Sequence, residues 1–182
     1  MITRISDDRY VIKMENEKPY GMGVFIDIYP YDGLGTTEKE AVTYGMKGDR
    51  LSSLCYQSTR EHFAIETTTS LFRKIIKYPI FIGSKLIGKD YFQKKLNQLV
   101  KLKEYEDSNY IGCVVWLSGG KKEIFLRKWF DETVMVPFEK YQFRVPKDYD
   151  EVLRHTYGDY MQLPPEKDRI GHHYFKAYRK DE

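Results

Sequence analysis

Apolar positions along this chain recur at two spacings, and the switches between them mark out the elements. RYVIKMENEKPYGMGVFIDIYP (residues 9–30) alternates with period two. It predicts two strands around a polar turn, closed by Pro30. TEKEAVTYGMKGDRLSSL (37–54) predicts a helix, with Thr37 and Glu40 at the spacing of a capping box. LFRKIIKYPIFIGSKLIG (71–88) is apolar and basic at helical spacing and is expected to break near Pro79, which lacks a backbone donor. DYFQKKLNQLVKLKEY (90–105) predicts a helix that Asp90 and Gln93 can cap, with Phe92, Leu96 and Leu99 on one face. NYIGCVVW (109–116) is short and β-branched and reads as a strand. TVMVPFEKYQFRVP (133–146) reads as a β-hairpin with Glu139, Lys140 and Tyr141 near the turn. Asp148 and Glu151 then open a helix, YDEVLRHTYG, which stops at Gly158.

The order of elements predicts an α/β (α+β) fold, a mixed sheet with flanking helices and a C-terminal hairpin plus helix. No linker rich in Pro, Gly or Ser divides the 182 residues, so one domain is expected over 1–182. A charged share of 31% against 41% hydrophobic excludes a disordered chain. The net charge of +3 is too balanced to support nucleic-acid binding. Cys55 and Cys113 are too few and too far apart for a disulfide framework or a zinc site, and read as reduced core thiols. The N-terminal stretch has no apolar signal region, and no run reaches the ~20 apolar residues of a spanning helix. The expected compartment is the cytoplasm.

Candidate chemistry begins with Asp27. It sits inside VFIDI, among Val24, Phe25, Ile26 and Ile28, in what reads as a buried strand. A buried carboxylate needs compensation: a cation, a metal or a set of hydrogen bonds. An edge position facing water is the plain alternative. A carboxylate aimed from a strand end into a cleft could instead hold Mg²⁺ for a phosphate-bearing substrate. Asp32 follows the Pro30 turn and fits ordinary Asp-Gly turn chemistry. The second cluster is YGDYMQLPPEKDRIGHH (157–173), where Tyr157, Asp159, Arg169 and His172 form a set able to grip a phosphate or a sugar. Its plain alternative is a loop strapped over the core with surface histidines. No nucleophile elbow and no phosphate-binding P-loop accompanies these residues.

GVFIDIYPYDGL, the long block WFDETVMVPFEKYQFRVPKDYDEVLRHTYGDYMQLPPEKDR and the terminal GHH closely resemble the LicD family, named for phosphocholine transferases that decorate bacterial surface glycans, with fukutin-type proteins as distant relatives. The resemblance spans nearly the whole chain and is weakest over residues 45–105. It implies a nucleotidyltransferase-like fold. It implies transfer of phosphocholine, or a related phosphoryl-linked group, from CDP-choline or a similar donor to a sugar hydroxyl of teichoic acid or lipopolysaccharide. In the family, metal is held by a paired-acid motif, P-W-D-x-D-[IM]-D, and by an acid in the IDI strand, which here is Asp27. The resemblance thus implies Asp27 as catalytic and metal ligand, Mg²⁺ or Mn²⁺ as cofactor, and Asp32, Tyr157, Asp159, Arg169 and His172 as substrate-binding. Arg169 and His172 are expected to face the same cleft as Asp27.

The paired-acid motif and the Gly-rich segment before it are absent from these residues. Asp7-Asp8 is adjacent rather than spaced, and Asp148-Tyr149-Asp150 opens a helix. The chain is therefore expected to correspond to the C-terminal portion of the family domain, to bind metal weakly and to turn over little by itself. The alternative reading is a non-catalytic remnant that binds glycan or a partner. Strands that would pair with VFIDI are expected to be missing, and a homodimer could hide the open edge. Arg73, Lys74, Lys77, Lys85 and Lys89 among apolar residues 71–89 raise peripheral contact with the inner membrane face, against the plain reading of a core helix with solvated lysines.

Overall fold

A computed structural model describes residues 2–14, 21–63, 70–117, 120–166, 169 and 175–180. The elements run β1 (Thr3–Asp7), β2 (Tyr10–Met14), β3 (Val24–Ile28), β4 (Asp32–Gly35), α1 (Glu38–Thr59), α2 (Leu71–Ile87), α3 (Lys89–Val100), β5 (Tyr110–Gly112), β6 (Phe125–Leu126), β7 (Thr133–Phe138), β8 (Tyr141–Pro146), α4 (Tyr149–Tyr157) and β9 (Phe175–Arg179). This is an α+β arrangement. Among the described residues the strands form small antiparallel sheets, β1-β3, β2-β9, β4-β5-β6 and β7-β8, in place of one mixed sheet. No described helix is long and apolar enough to cross a membrane.

The chain divides into two compact units. The first comprises Met1–Tyr29, Arg50–Gln98 and Gly171–Glu182; the second comprises Pro30–Asp49 and Leu99–Ile170.

In the first unit β3 finds a partner that its alternation could not announce. β1 pairs with it over five residues, from Thr3 opposite Ile28 to Asp7 opposite Val24. The edge expected to be open is thus paired on one side. β2 pairs with β9, a strand that follows the expected loop of residues 157–173 and that no sequence signal announced. The two predicted strands of residues 9–30 form, but each takes a different partner. Helix α2 does not break at Pro79; it runs unbroken from Leu71 to Ile87. Proline removes one N–H and frees the carbonyl four residues earlier, here that of Ile75. Both residues lie on the exposed side of α2, where solvent can satisfy that carbonyl. Beneath α2, Phe81 is buried and its ring lies 5.7 Å from that of Phe63. On α3, Phe92, Leu96 and Leu99 are all buried, as their spacing requires.

The second unit is built on β4-β5-β6. Leu34, Ile111 and Val114 are fully buried there, and Ala41 of α1 is buried with them. Ser108 ties the sheet together: its hydroxyl donates to the Glu104 carbonyl at 2.9 Å and accepts the Gly35 N–H at 3.3 Å. The start of α1 is capped as its sequence predicts, the Thr37 hydroxyl accepting the Glu40 N–H at 3.3 Å. The Glu40 carboxylate reaches past the cap residue to the Thr36 N–H at 3.0 Å and forms an ion pair with Lys103. Chain approach at α1 is close enough to demand glycine. A Cβ on Gly48 would lie 2.2 Å from the Val114 carbonyl oxygen. The strand read over NYIGCVVW is only three residues long, because Cys113 to Val115 turn into the core. The hairpin β7-β8 turns at Glu139 and Lys140, with Phe138 opposite Tyr141, and Glu139 takes a positive φ of 52°. α4 ends where Gly158, at φ 72°, returns its N–H to the Arg154 carbonyl at 2.8 Å.

Candidate functional site

The register of β1 against β3 explains Asp27. Arg4 stands directly opposite Asp27, and Ser6 opposite Phe25. Opposite residues share a face, so these four side chains lie together. Arg4 Nε donates to Asp27 Oδ1 at 2.7 Å, and the guanidinium lies 4.2 Å over the Phe25 ring centre. The Tyr29 hydroxyl reaches Asp27 Oδ2 at 3.4 Å. The side chain of Asp27 is 19% exposed and that of Arg4 is 40% exposed. The compensation that a carboxylate in this strand requires is therefore a cation, supplied by the neighbouring strand.

The expected burial of the strand is reversed. Val24, Ile26 and Ile28 occupy the other face and are exposed, Ile26 by 70%. Two strands make a single layer, and no described element covers that face. A period of two says which residues share a face; it does not say which face is covered.

A divalent cation at Asp27 would need several oxygen ligands in a near-octahedral set. Among the described residues no three His, Cys, Asp or Glu side chains gather to hold a metal. The group beside Asp27 is a guanidinium. The described residues do not by themselves fit Mg²⁺ or Mn²⁺.

The second unit holds a different kind of carboxyl. Asp32 opens β4, half-buried, next to the buried Gly33 and Leu34. Burial raises its pKa above the ordinary value, opposed by the Val114 backbone N–H, which it accepts. Burial also pushes up the neighbouring Tyr44 phenol, with Asp32 adding to the shift, and the Tyr44 hydroxyl donates to the Leu99 carbonyl. The Cys113 thiol is likewise raised by burial, and Asp32 adds to that shift. Tyr31 stacks on Phe125 at 5.4 Å and meets Phe130 edge-on at 5.3 Å. Burial raises its phenol, reinforced by Cys113, Glu123 and Tyr157. Glu123 Oε2 is buried with no hydrogen-bond partner among the described residues. Asp32 is thus more than turn chemistry: it belongs to a phenol, thiol and carboxyl cluster that favours protonated forms.

The remaining expected residues are scattered over the second unit. Tyr157, at the end of α4, is exposed and close enough to Tyr31 to raise its phenol. Asp159 lies beside Arg154, which is itself paired with Asp150 at 2.7 Å. Arg169 Nε donates to the Pro164 carbonyl at 2.8 Å, so part of its guanidinium clasps its own loop. His172 lies outside the described residues, and with it the expected juxtaposition with Asp27.

Sequence reading missed Arg4, Tyr31, Tyr44, Glu123 and His155. His155 donates from Nε2 to the Lys121 carbonyl at 2.9 Å and lies between Phe125 and Trp129. Arg4 had one legible signal: a basic residue on a second period-two stretch, two positions from the N-terminus of ITRISD. The others depend on contacts between distant segments, which no local pattern carries.

No family model matches the chain, and no solved structure matches it. The chain is similar to the lipopolysaccharide cholinephosphotransferase LicD of Haemophilus influenzae, 32% identical over 157 residues. The aligned part is 85% of this chain and 57% of the relative. The chain therefore spans little more than half the length of the curated relative it matches.

Proposed function

This chain belongs to the LicD family, and from that premise we propose that it takes part in phosphocholine transfer from a CDP-activated donor to a sugar hydroxyl of a cell-surface glycan, lipopolysaccharide or teichoic acid. The observation that carries the reading is the 32% identity to a lipopolysaccharide cholinephosphotransferase over 85% of the chain. In the proposed reaction the sugar oxygen attacks the phosphorus that bears choline. The bond from that phosphorus to the bridging oxygen breaks, CMP leaves, and the hydroxyl proton passes to solvent or to a base.

Negative charge on the phosphoryl oxygens must be balanced as that bond breaks. Arg4 suits this role. Asp27 occupies its Nε, and Phe25 supports the guanidinium plane, so its outer edge is held in one orientation. A guanidinium edge matches two phosphate oxygens. In this reading Asp27 positions Arg4, and turnover by this chain is slow because one arginine supplies only part of the stabilisation. The second unit contributes sugar recognition separately, with the half-buried Asp32 and exposed Tyr157 offering hydrogen-bond partners and a ring face to a glycan.

One observation favours a second reading. The carboxylate expected to hold metal is paired with Arg4 instead, which suits a non-catalytic module that binds donor or glycan. Labelled choline incorporation into lipopolysaccharide, followed with CMP release, separates the two. Slow incorporation that requires the chain supports transfer. CDP-choline or glycan binding without incorporation supports the binding module. Neither binding nor incorporation overturns both.

A further inference from the structure

The β2-β9 sheet has two unlike faces. Residues opposite each other in the register share a face, as do alternate residues along a strand. Ile12 and Phe175 belong to the inner face: Ile12 is buried, and the Phe175 ring lies 6.0 Å from that of Phe25. The outer face carries Val11, Lys13, Lys176 and Tyr178, with Lys13 directly opposite Lys176. Lys13 Nζ lies 5.0 Å from the centre of the Tyr178 ring, so both side chains stand on that side. Lys180 continues the register, its N–H donating to the Arg9 carbonyl at 3.0 Å. Lys13, Lys176 and Lys180 are all exposed.

Like charges placed directly opposite each other weaken a strand pair. Residues 9–14 and 175–180 hold no acidic side chain to offset them, and Asp7 of β1 is engaged by Arg9 at 2.6 Å. Among the described residues the three lysines meet no carboxylate. Lysines that only guarded an open strand edge would do so equally well when staggered. A phosphate resolves the conflict, because its oxygens accept from two ammonium groups at once. Lys176 and Lys180 stand ~13 Å apart along the strand, with Tyr178 midway. Cations at two positions with a phenol between them suit a polymer that alternates phosphate and sugar. A bilayer would find only Val11 and Tyr178 to insert, far less apolar surface than an interfacial element presents. A nucleic acid would need open ring faces for its bases, and Lys13 sits over the Tyr178 ring.

We propose that the outer face of β2-β9 docks phosphate groups of the acceptor glycan, Lys13 and Lys176 sharing one phosphate and Lys180 taking another. The inference rests on the glycan-transfer reading and states how the acceptor is held. Calorimetric titration with the lipid-free oligosaccharide of lipopolysaccharide tests it, the oligosaccharide being used phosphorylated and stripped of phosphate. The wild-type chain is expected to bind the phosphorylated form, less tightly as salt is raised, and the stripped form at least about tenfold more weakly. Lys13→Gln with Lys176→Gln should weaken binding of the phosphorylated form by roughly tenfold. Lys39→Gln with Lys47→Gln, which removes the same charge from exposed positions of α1, should leave it unchanged. Circular dichroism checks that both variants keep their fold. Equal affinity for the two forms, or a Lys13 and Lys176 variant that binds like wild type, overturns the proposal. So does tighter binding to phosphatidylglycerol vesicles or single-stranded RNA that the same variant loses, because it gives the face to a membrane or a nucleic acid. Choline incorporation by the same preparations keeps the two readings apart. Incorporation without phosphate-dependent binding defeats this inference alone, and phosphate-dependent binding without incorporation defeats transfer alone.

Discussion

Asp27 and Asp32 are five residues apart in the chain and live under opposite rules. Asp27 lies on a two-stranded sheet whose other face no described element covers, and a guanidinium 2.7 Å away compensates its charge. Asp32 opens a three-stranded sheet with buried neighbours, and burial makes it hold its proton more readily. The first is paired with a cation, and the second is pushed by burial toward its protonated form. The difference comes from layering rather than from local sequence. The β1-β3 pair exposes Val24, Ile26 and Ile28 on one face, whereas β4 is closed in by Leu34, Ile111 and Val114. A charged group survives in the first setting through a partner and in the second through neutralisation.

The largest effect on stability is expected at Gly33, beside Asp32. A Cβ there would lie 2.4 Å from the Glu104 carbonyl oxygen and 2.5 Å from Ser108 Oγ. Gly33→Ala should destabilise the protein by about 2–3 kcal/mol, because the obstructing atom is backbone and cannot swing away. A urea unfolding midpoint unchanged from wild type would show that β4 is looser than described.

A smaller effect is expected across β1 and β3. Arg4→Gln should cost about 1 kcal/mol, since its ion pair and its contact with Phe25 are partly open to solvent. Added salt should shrink the difference between wild type and variant in thermal melts. A loss that salt leaves untouched would mean that packing, not charge, dominates at Arg4.

Asp32→Asn should act with the opposite sign. The folded pKa of Asp32 lies above its ordinary 3.8. Its favourable contribution is therefore complete below 3.8 and is lost as pH rises through the folded value. The Asn variant keeps an acceptor for the Val114 N–H and never ionises. It should match wild type in acid and become relatively more stable toward neutral pH. In β1 the sign reverses: the Arg9 guanidinium holds Asp7 at about 2, so its contribution is present above 3.8 and fades as pH falls toward 2. Melting temperatures of Asp32→Asn and wild type from pH 3 to 7 check the first case. A variant that loses ground on wild type as pH rises would show Asp32 to be a compensated charge like Asp27.

The smallest signal concerns metal. Titration of the chain with Mg²⁺ or Mn²⁺ by calorimetry should give no saturable heat at micromolar concentrations, because one carboxylate already paired with arginine makes a poor site. A stoichiometric site in wild type that Asp27→Asn removes would show that ligands outside the described residues complete it.

Much of the helical framework was legible in sequence because its signals are local. The Thr37–Glu40 cap, the Phe92–Leu96–Leu99 stripe, the Glu139–Lys140 turn and the Gly158 stop each depend on residues within a turn or two. Pro79 misled because the carbonyl it frees, that of Ile75, lies on the exposed side of α2, where water can satisfy it. Strand pairing was not legible: β9 reaches β2 across most of the chain, and Arg4 reaches Asp27 across 23 positions. The candidate site was legible as residue types, with Asp27 and Asp32 both singled out. What each does depended on Arg4 and on the Val114 N–H, neighbours that only the fold supplies.

The Arg4–Asp27 pair is proposed to serve phosphoryl transfer and not merely to clasp β1 to β3. The direct measurement is choline incorporation from CDP-choline by wild type and Asp27→Asn, alongside the melting temperature of each preparation. Asn fills nearly the same volume but no longer holds the guanidinium by charge. The variant is expected to transfer choline at least about a hundredfold more slowly, with a melting temperature lower by only a few degrees. Unchanged transfer per folded molecule, together with a large fall in melting temperature, would contradict it and leave Asp27 a structural residue of the β1-β3 sheet.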